Sequence, residues 1–284
     1  MGQIIRTGTE MLTLAAQYLP AYYRGLKGAQ VFAEVETFCL FIGYSRSGHT
    51  LVGSLLDAHP NVIIGHEMGV LKYIRAGFGR AQICQLLLEN SRAFTAAGRT
   101  SKGFSYVVPH QPQGTFTRLQ VIGDKMGEDA TLRLHTWPWL LRRLRETLRM
   151  RVKLIHVIRN PYDNISTMSM KTRKLERKGD LKRCIDFYFS LCESVEEIKA
   201  QTNESDFFDL RHEAFLERPR DGLRDLCNFL GVDSSDEYLD ACAMVVSGSP
   251  HKSRYETQWS EALIALVDSK IKQVPFLYGY SYSD

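Results

Sequence analysis

The sequence has no long apolar run. Its most hydrophobic N-terminal stretch, Met11 to Leu19, is too short to span a bilayer and is interrupted by Gln17. Neither a signal peptide nor an anchor is expected, and the reading is a cytoplasmic protein with no membrane partner. A strong excess of one charge is also missing. The formal charge of +4 is too small to argue for nucleic acid, although it suits an anionic ligand. Cysteine is sparse: Cys39, Cys84, Cys184, Cys192, Cys227 and Cys242 stand without CxxC or zinc spacing. That excludes a disulfide framework and a zinc site, and no metal is expected. There is no repeat and no low-complexity segment. What remains, 284 residues with 44% apolar content, is enough for one α/β domain over 1–284. Residues 1–30 read as an N-terminal helical segment, with an amphipathic helix over 9–27.

The informative stretch runs from Thr37 to Glu67. Thr37-Phe38-Cys39-Leu40-Phe41-Ile42 is short and β-rich, as a buried strand should be. Gly43-Tyr44-Ser45-Arg46-Ser47-Gly48-His49-Thr50 follows, and then Leu51-Val52-Gly53-Ser54-Leu55-Leu56 has helical periodicity. A strand, a glycine-bracketed loop and a helix in that order form an anion site, because loop N–H groups and the helix N-terminus converge. The spacing matches the nucleotide-binding P-loop except at one position, where His49 stands in place of the phosphate-reaching lysine. The cation has moved upstream to Arg46. A P-loop kinase or ATPase remains an alternative, as does a non-catalytic nucleotide- or lipid-binding module.

Along the rest of the chain strands alternate with helices. Short strands are expected at 61–65, 119–123, 152–158 and 206–210, and helices near 69–98 and 130–149, from about 164, and near 181–201, 219–230, 235–246 and 260–273. This predicts a parallel β-sheet of about five strands flanked by helices. Residues 99–117 have no period and read as part of an acceptor-binding wall, with Tyr106 and His110. The arginines at 142, 143, 145, 149 and 151 and the basic run at 171–178 read as solvated surfaces rather than a nucleic-acid interface. Strand ends in open α/β sheets deliver ligand-binding residues. That puts Glu67, Asp124-Lys125, Arg159-Asn160-Pro161 and Arg211-His212-Glu213 on one side.

Taken together, these segments resemble the sulfotransferases that use 3′-phosphoadenosine 5′-phosphosulfate (PAPS), a P-loop NTPase-like fold. Ser45-Arg46-Ser47-Gly48-His49-Thr50 is similar to their 5′-phosphosulfate loop, and Arg159 followed by the Thr167 hydroxyl is similar to their 3′-phosphate motif. Ser166 and Ser169 neighbour that hydroxyl. Leu56-Asp57-Ala58-His59-Pro60-Asn61-Val62 with Gly65 and Glu67 is most similar to the tyrosylprotein-sulfotransferase branch. The resemblance implies PAPS as cofactor, with the bisphosphate PAP as product, and Glu67 as catalytic base. Lys125 and Arg46 would act on the transferring group. Binding of the cofactor would fall to Arg46, Ser47, Gly48, His49, Thr50, Leu51, Arg159, Thr167, Ser166, His212, Lys252, Ser253 and Arg254. Leu51 stands where the cytosolic steroid and phenol enzymes carry an adenine-stacking Trp, and Lys125 lacks their following Thr-His. His212 replaces a Tyr, and the late loop at 252–254 lacks the family's glycines. The expected reaction is sulfation of a hydroxyl or nitrogen on a small-molecule acceptor, a metabolite of natural product biosynthesis. Carbohydrate and protein tyrosine remain alternative acceptors, and a homodimer remains open.

Overall fold

The computed structural model describes residues 7–101, 103–174, 180–246 and 248–284. In chain order the elements are α1 (Thr7–Gly28), β1 (Thr37–Ile42), α2 (His49–Leu56), β2 (Val62–His66), α3 (Val70–Arg75) and α4 (Arg80–Ala96). Then come β3 (Thr100–Ser101), β4 (Phe104–Ser105), β5 (Val121–Lys125), α5 (Gly127–Thr136), α6 (Trp139–Leu148) and β6 (Arg151–Ile158). The C-terminal part holds α7 (Pro161–Lys174), α8 (Leu181–Ala200), β7 (Phe207–Arg211), α9 (His212–Glu217), α10 (Pro219–Leu230), α11 (Asp236–Met244) and α12 (Glu261–Ile271).

Five strands form one sheet in the order β2-β5-β1-β6-β7, and every pairing is parallel. All their carboxyl ends therefore lie along one edge. β1 is central and buried along its whole length, which is why it reads as an unbroken apolar run. Its alternate residues feed two cores. Phe38, Leu40 and Ile42 pack with the layer that includes α4, α5 and α8. Cys39 and Phe41 pack with α2, α10 and α11 on the other face. The chain leaves β1 for β2 on one side and later returns to β6 on the other, so the loop after β1 opens where strand order reverses.

Several boundaries differ from the sequence reading. The single helix expected over 69–98 is two, because Gly77 turns the chain at φ +83° between α3 and α4. The helix expected over 130–149 is also two, α5 and α6, parted at Trp137-Pro138. Proline supplies no N–H and would clash with the preceding turn. Residues 99–117 contain the small β3–β4 hairpin, and α9 was not anticipated. Of the basic run read at 171–178, residues 175–178 lie outside the described residues.

The aperiodic segment is tethered by one buried carboxylate. Asp57, at the end of α2, accepts from the N–H groups of Ile64 (2.6 Å) and Gly114 (3.1 Å) and from the Ser91 hydroxyl (2.8 Å). It also pairs with Arg99 at 2.7 Å, both side chains being buried. Asp57 thus fastens β2, α4 and the segment at 99–114 to the helix that follows the loop.

Candidate active site

The loop after β1 is held open by its glycines. Gly43 and Gly48 sit at φ +118° and +104°, and Arg46 joins them in the left-handed region at +73°. At Gly48 an added Cβ would lie 2.5 Å from Nδ1 of His212, so glycine is demanded twice, by conformation and by space. The Gly43 N–H donates to Thr131 Oγ1 at 2.7 Å and the Ser45 N–H to Glu128 at 3.3 Å, so α5 anchors the loop's first half. Ser47 Oγ donates to the Tyr44 carbonyl at 3.1 Å. Among the described residues the N–H groups of Arg46, Ser47 and Gly48 have no acceptor, as the donors of an anion-binding concavity require.

His49 does not aim its ring into this concavity. Its Nε2 lies 3.0 Å from the Ile42 carbonyl, which fixes that nitrogen as the donor, and the ring packs edge-on to Phe41. Burial, with the Lys125 charge nearby, lowers its pKa from 6.5 to about 3. His49 can offer its backbone N–H here, while its imidazole is a neutral structural group. Thr50, the next residue, faces the other way: Lys125 Nζ donates to its hydroxyl at 3.2 Å. Leu51 is half-buried and packs into the α2 core.

Lys125 also reaches Glu67, with Nζ 2.9 Å from Oε1. The lysine is buried while the Glu67 side chain is 49% exposed, so the pair is open to solvent only on the carboxylate side. Register explains the meeting: His66 pairs with Lys125, and the Glu67 N–H donates to the Lys125 carbonyl at 3.1 Å. Desolvation lowers the Lys125 pKa against the opposing pull of Glu67. Glu67 sits at φ +55°, a strained conformation for a side chain of its size. The turn is held by Asp124, whose buried carboxylate accepts from the N–H groups of Met68 (3.1 Å) and Val70 (2.6 Å). Burial pushes Asp124 up to about 6. Asp124 therefore satisfies the start of α3.

The other half of the edge is built around Arg159. Its Nη1 donates to the Arg46 carbonyl at 3.0 Å and its Nη2 to the His251 carbonyl, while Nε has no partner. One guanidinium thus joins the loop after β1 to the late loop at 251–254. Thr167 donates to the Asp163 carbonyl at 2.8 Å and lies 2.9 Å from the Ser253 hydroxyl. Arg254 is almost wholly buried, with its N–H on Asp163 Oδ1 at 2.9 Å and its Nη1 3.6 Å from Oδ2. It also donates to the Asp284 carbonyl, and Nε is unpartnered. His212 opens α9 half-buried, and its Nδ1 has no partner; burial and the nearby Arg159 lower its pKa to about 3.

Two expected residues are engaged elsewhere. Ser166 accepts from Trp259 Nε1 at 3.0 Å, and the exposed Lys252 donates to the Asp284 carbonyl at 2.6 Å. What sequence reasoning missed is the supporting role of Asp163, Asn160 and Glu213, the last two of which it placed at strand ends without assigning them a partner. Glu213 accepts from the Asn160 N–H at 2.8 Å and from the Tyr280 hydroxyl at 2.7 Å, and Asn160 donates to the Ser281 carbonyl at 2.9 Å. The Arg-Asn-Pro-x-Asp turn was the available signal, but the partners lie far along the chain. Among the described residues no three His, Cys, Asp or Glu side chains are grouped as a metal would require, and no helix is long and apolar enough to cross a membrane.

No protein of curated function matches the chain in sequence. In structure it is similar to the sulfotransferase domain from the curacin biosynthetic pathway (17% identity, TM-score 0.53), over 86% of this chain and 99% of that one. It is also similar to sulfotransferase STF9 from Mycobacterium avium (12%, 0.53), over 93% of this chain and 84% of that one. A sulfotransferase from Alicyclobacillus acidocaldarius aligns at 15% identity and TM-score 0.50, over 88% and 98% of the two chains. At these identities the likeness is one of fold. The sequence profile of the sulfotransferase family matches residues 40–236, from within β1 to the start of α11. With that match covering every helix and strand that delivers a residue to the loop's edge of the sheet except the late 251–254 segment, the chain belongs to the sulfotransferase family.

Proposed function

We propose that this sulfotransferase moves a sulfuryl group from PAPS to a hydroxyl or nitrogen of a small-molecule acceptor, with Glu67 as general base. The observation that carries the reading is the Glu67–Lys125–Thr50 line beside the loop. A carboxylate and a cation meet there, at the carboxyl ends of neighbouring strands, and only the carboxylate is open to solvent. The residues fit the cofactor on two grounds: buried polar atoms of Arg46, Arg159 and His212 are unpartnered, and Gly48 leaves a cradle that a Cβ would fill.

PAPS supplies a sulfuryl group on a phosphate leaving group, so the bond from sulfur to phosphate oxygen breaks as a bond to the acceptor heteroatom forms. The loop N–H groups, Arg46 and the Thr50 hydroxyl would hold the 5′ side. Arg159, Thr167, Ser253 and Arg254 would hold the 3′-phosphate, and His212 would face the adenine. Lys125 supplies positive charge where negative charge collects. Glu67 takes the proton lost by the acceptor. Tyr106 lies close enough to Arg46 to feel its charge, which supports the 99–117 segment as the acceptor wall.

The kinase reading predicts a lysine reaching phosphates from position 49, and the ring found there is turned onto the Ile42 carbonyl. Calorimetric titration with PAP, beside ATP with magnesium, separates the two. Tight PAP binding weakened by Arg159→Ala, with ATP far poorer, is expected. Preference for ATP with magnesium overturns the proposal. Small-molecule, saccharide and tyrosine-peptide acceptors can then be screened with labelled PAPS.

A further inference from the structure

The segment at 278–284 crosses the carboxyl ends of β6 and β7, where three polar residues hold it. Arg211, the last residue of β7, donates from Nη2 to the Phe276 (3.2 Å) and Tyr278 (2.6 Å) carbonyls, and its guanidinium lies over the Tyr280 ring. The Tyr280 hydroxyl donates to Glu213 at 2.7 Å, and Asn160, just past β6, donates to the Ser281 carbonyl at 2.9 Å. Tyr282 then packs edge-on to Tyr162 of α7, with 5.2 Å between ring centres. It meets Tyr255 and Trp259, which follow the late loop, in the same way at 5.8 and 6.2 Å.

At its far end the segment reaches Arg254. The main-chain oxygen of Asp284 accepts from Arg254 Nη2 and, at 2.6 Å, from Lys252 Nζ. The Asp284 carboxylate accepts from the Ser281 N–H (2.5 Å) and hydroxyl (2.8 Å), closing a turn that fixes where that oxygen points. Asp163 holds the same arginine from the other side, through its N–H and at 3.6 Å from Nη1. Nε and Nη1 of Arg254 make no hydrogen bond, and neither does Nε of Arg159. Burial lowers the Arg159 pKa, and the charges of Arg254 and Arg46 lower it further, against Asp163 and Glu213. Guanidiniums that feel one another in this way repel, so each must be held in place by its surroundings.

We propose that residues 278–284 form a clamp that sets Arg254 for the donor's 3′-phosphate, with Tyr282 and Asp284 as positioning residues. The proposal rests on the reading that Arg159 and Arg254 hold that phosphate. The oxygen of Asp284 takes one nitrogen of the guanidinium and leaves Nε for a phosphate oxygen. A cation fixed before the anion arrives need not be ordered at the moment of binding. The clamp acts on Arg254 while the loop after β1 holds the 5′ side, so its loss should be felt at one end of the donor only.

Calorimetric titration of the full chain with PAP and with adenosine 5′-phosphate, which lacks the 3′-phosphate, separates a clamp from a structural prop. Tyr282→Ala removes the ring that seats the segment, and Asp284→Ala opens the turn at its end. Each is expected to raise the PAP dissociation constant about tenfold and to leave that of adenosine 5′-phosphate within a factor of about two. Tyr282→Phe keeps the ring and is expected to bind PAP as the wild type does. Unchanged PAP affinity in both alanine variants overturns the clamp, and so does an equal loss for the two nucleotides. Tighter PAP binding by Asp284→Ala overturns it as well, because the segment would then compete with the phosphate. A wild-type chain that does not distinguish PAP from adenosine 5′-phosphate overturns the 3′-phosphate assignment itself, and the clamp with it.

Discussion

Glu67 combines a strained backbone with a partnered carboxylate, and its value as a base should be separable from its value as a structural group. Glu67→Gln is expected to reduce turnover by about 10²- to 10⁴-fold while leaving PAP affinity within a factor of about three, because binding does not require the proton acceptor. Turnover unchanged in that variant would remove Glu67 from the mechanism. His49 makes a prediction of a different kind. Its pKa is about 3 in the fold and 6.5 when free, so between those values the unfolded chain carries one more proton. The stability of the neutral ring is complete above pH 6.5 and is lost as pH falls toward 3, at about 1.4 kcal/mol per pH unit for one group. Urea unfolding of His49→Gln at pH 7, 6 and 5 should show a slope shallower by that amount; an identical slope contradicts a buried neutral imidazole. Gly48→Ala should cost about 1–3 kcal/mol from its positive φ and weaken PAP binding at least about tenfold. Adding His212→Ala should recover part of the stability, since the ring that a Cβ meets is gone.

At the scale of elements, the strands were legible because burial on both faces leaves apolar runs, unbroken in Phe38 to Ile42 and interrupted only by His156 in Leu154 to Ile158. Both helix breaks were written in the chain as well, at Gly77 and Pro138, but the apolar period runs through them and masks the interruption. The loop and the charged residues at strand ends could be read from spacing, since a parallel sheet places all such ends on one edge. The structural roles of Asp57, Asp124 and Glu213 could not, because each is defined by backbone N–H groups or side chains that come near it only in the fold. Asp57 is the clearest case, and it makes an element-scale prediction. Arg99→Met would leave its carboxylate without a counter-charge among packed groups and should cost on the order of 3–5 kcal/mol. Asp57→Asn/Arg99→Met together should cost less than the single change. Equal losses would mean the pair is uncoupled.

For the whole molecule, two cores share one sheet, with β1 contributing to both. Urea unfolding should therefore be a single transition by fluorescence and circular dichroism, and separated transitions would divide the chain into independent units. PAP at about a hundred times its dissociation constant should add about 2.7 kcal/mol, raising the melting temperature by about 5 °C for a chain of this size. No shift at saturation would contradict binding to the native state.

The ion pair between Lys125 and Glu67 has a kinetic consequence. While the cation holds Glu67 Oε1, the proposed base is paired with a positive charge, and an acceptor arriving first meets a carboxylate whose basicity Lys125 draws down. An anionic donor that draws Lys125 toward itself frees that oxygen, so readiness for the second substrate is conferred by the first. This predicts ordered addition with the donor leading: PAP should inhibit competitively against the donor and noncompetitively against the acceptor. An enzyme arranged this way keeps its proton acceptor idle until there is a group to transfer.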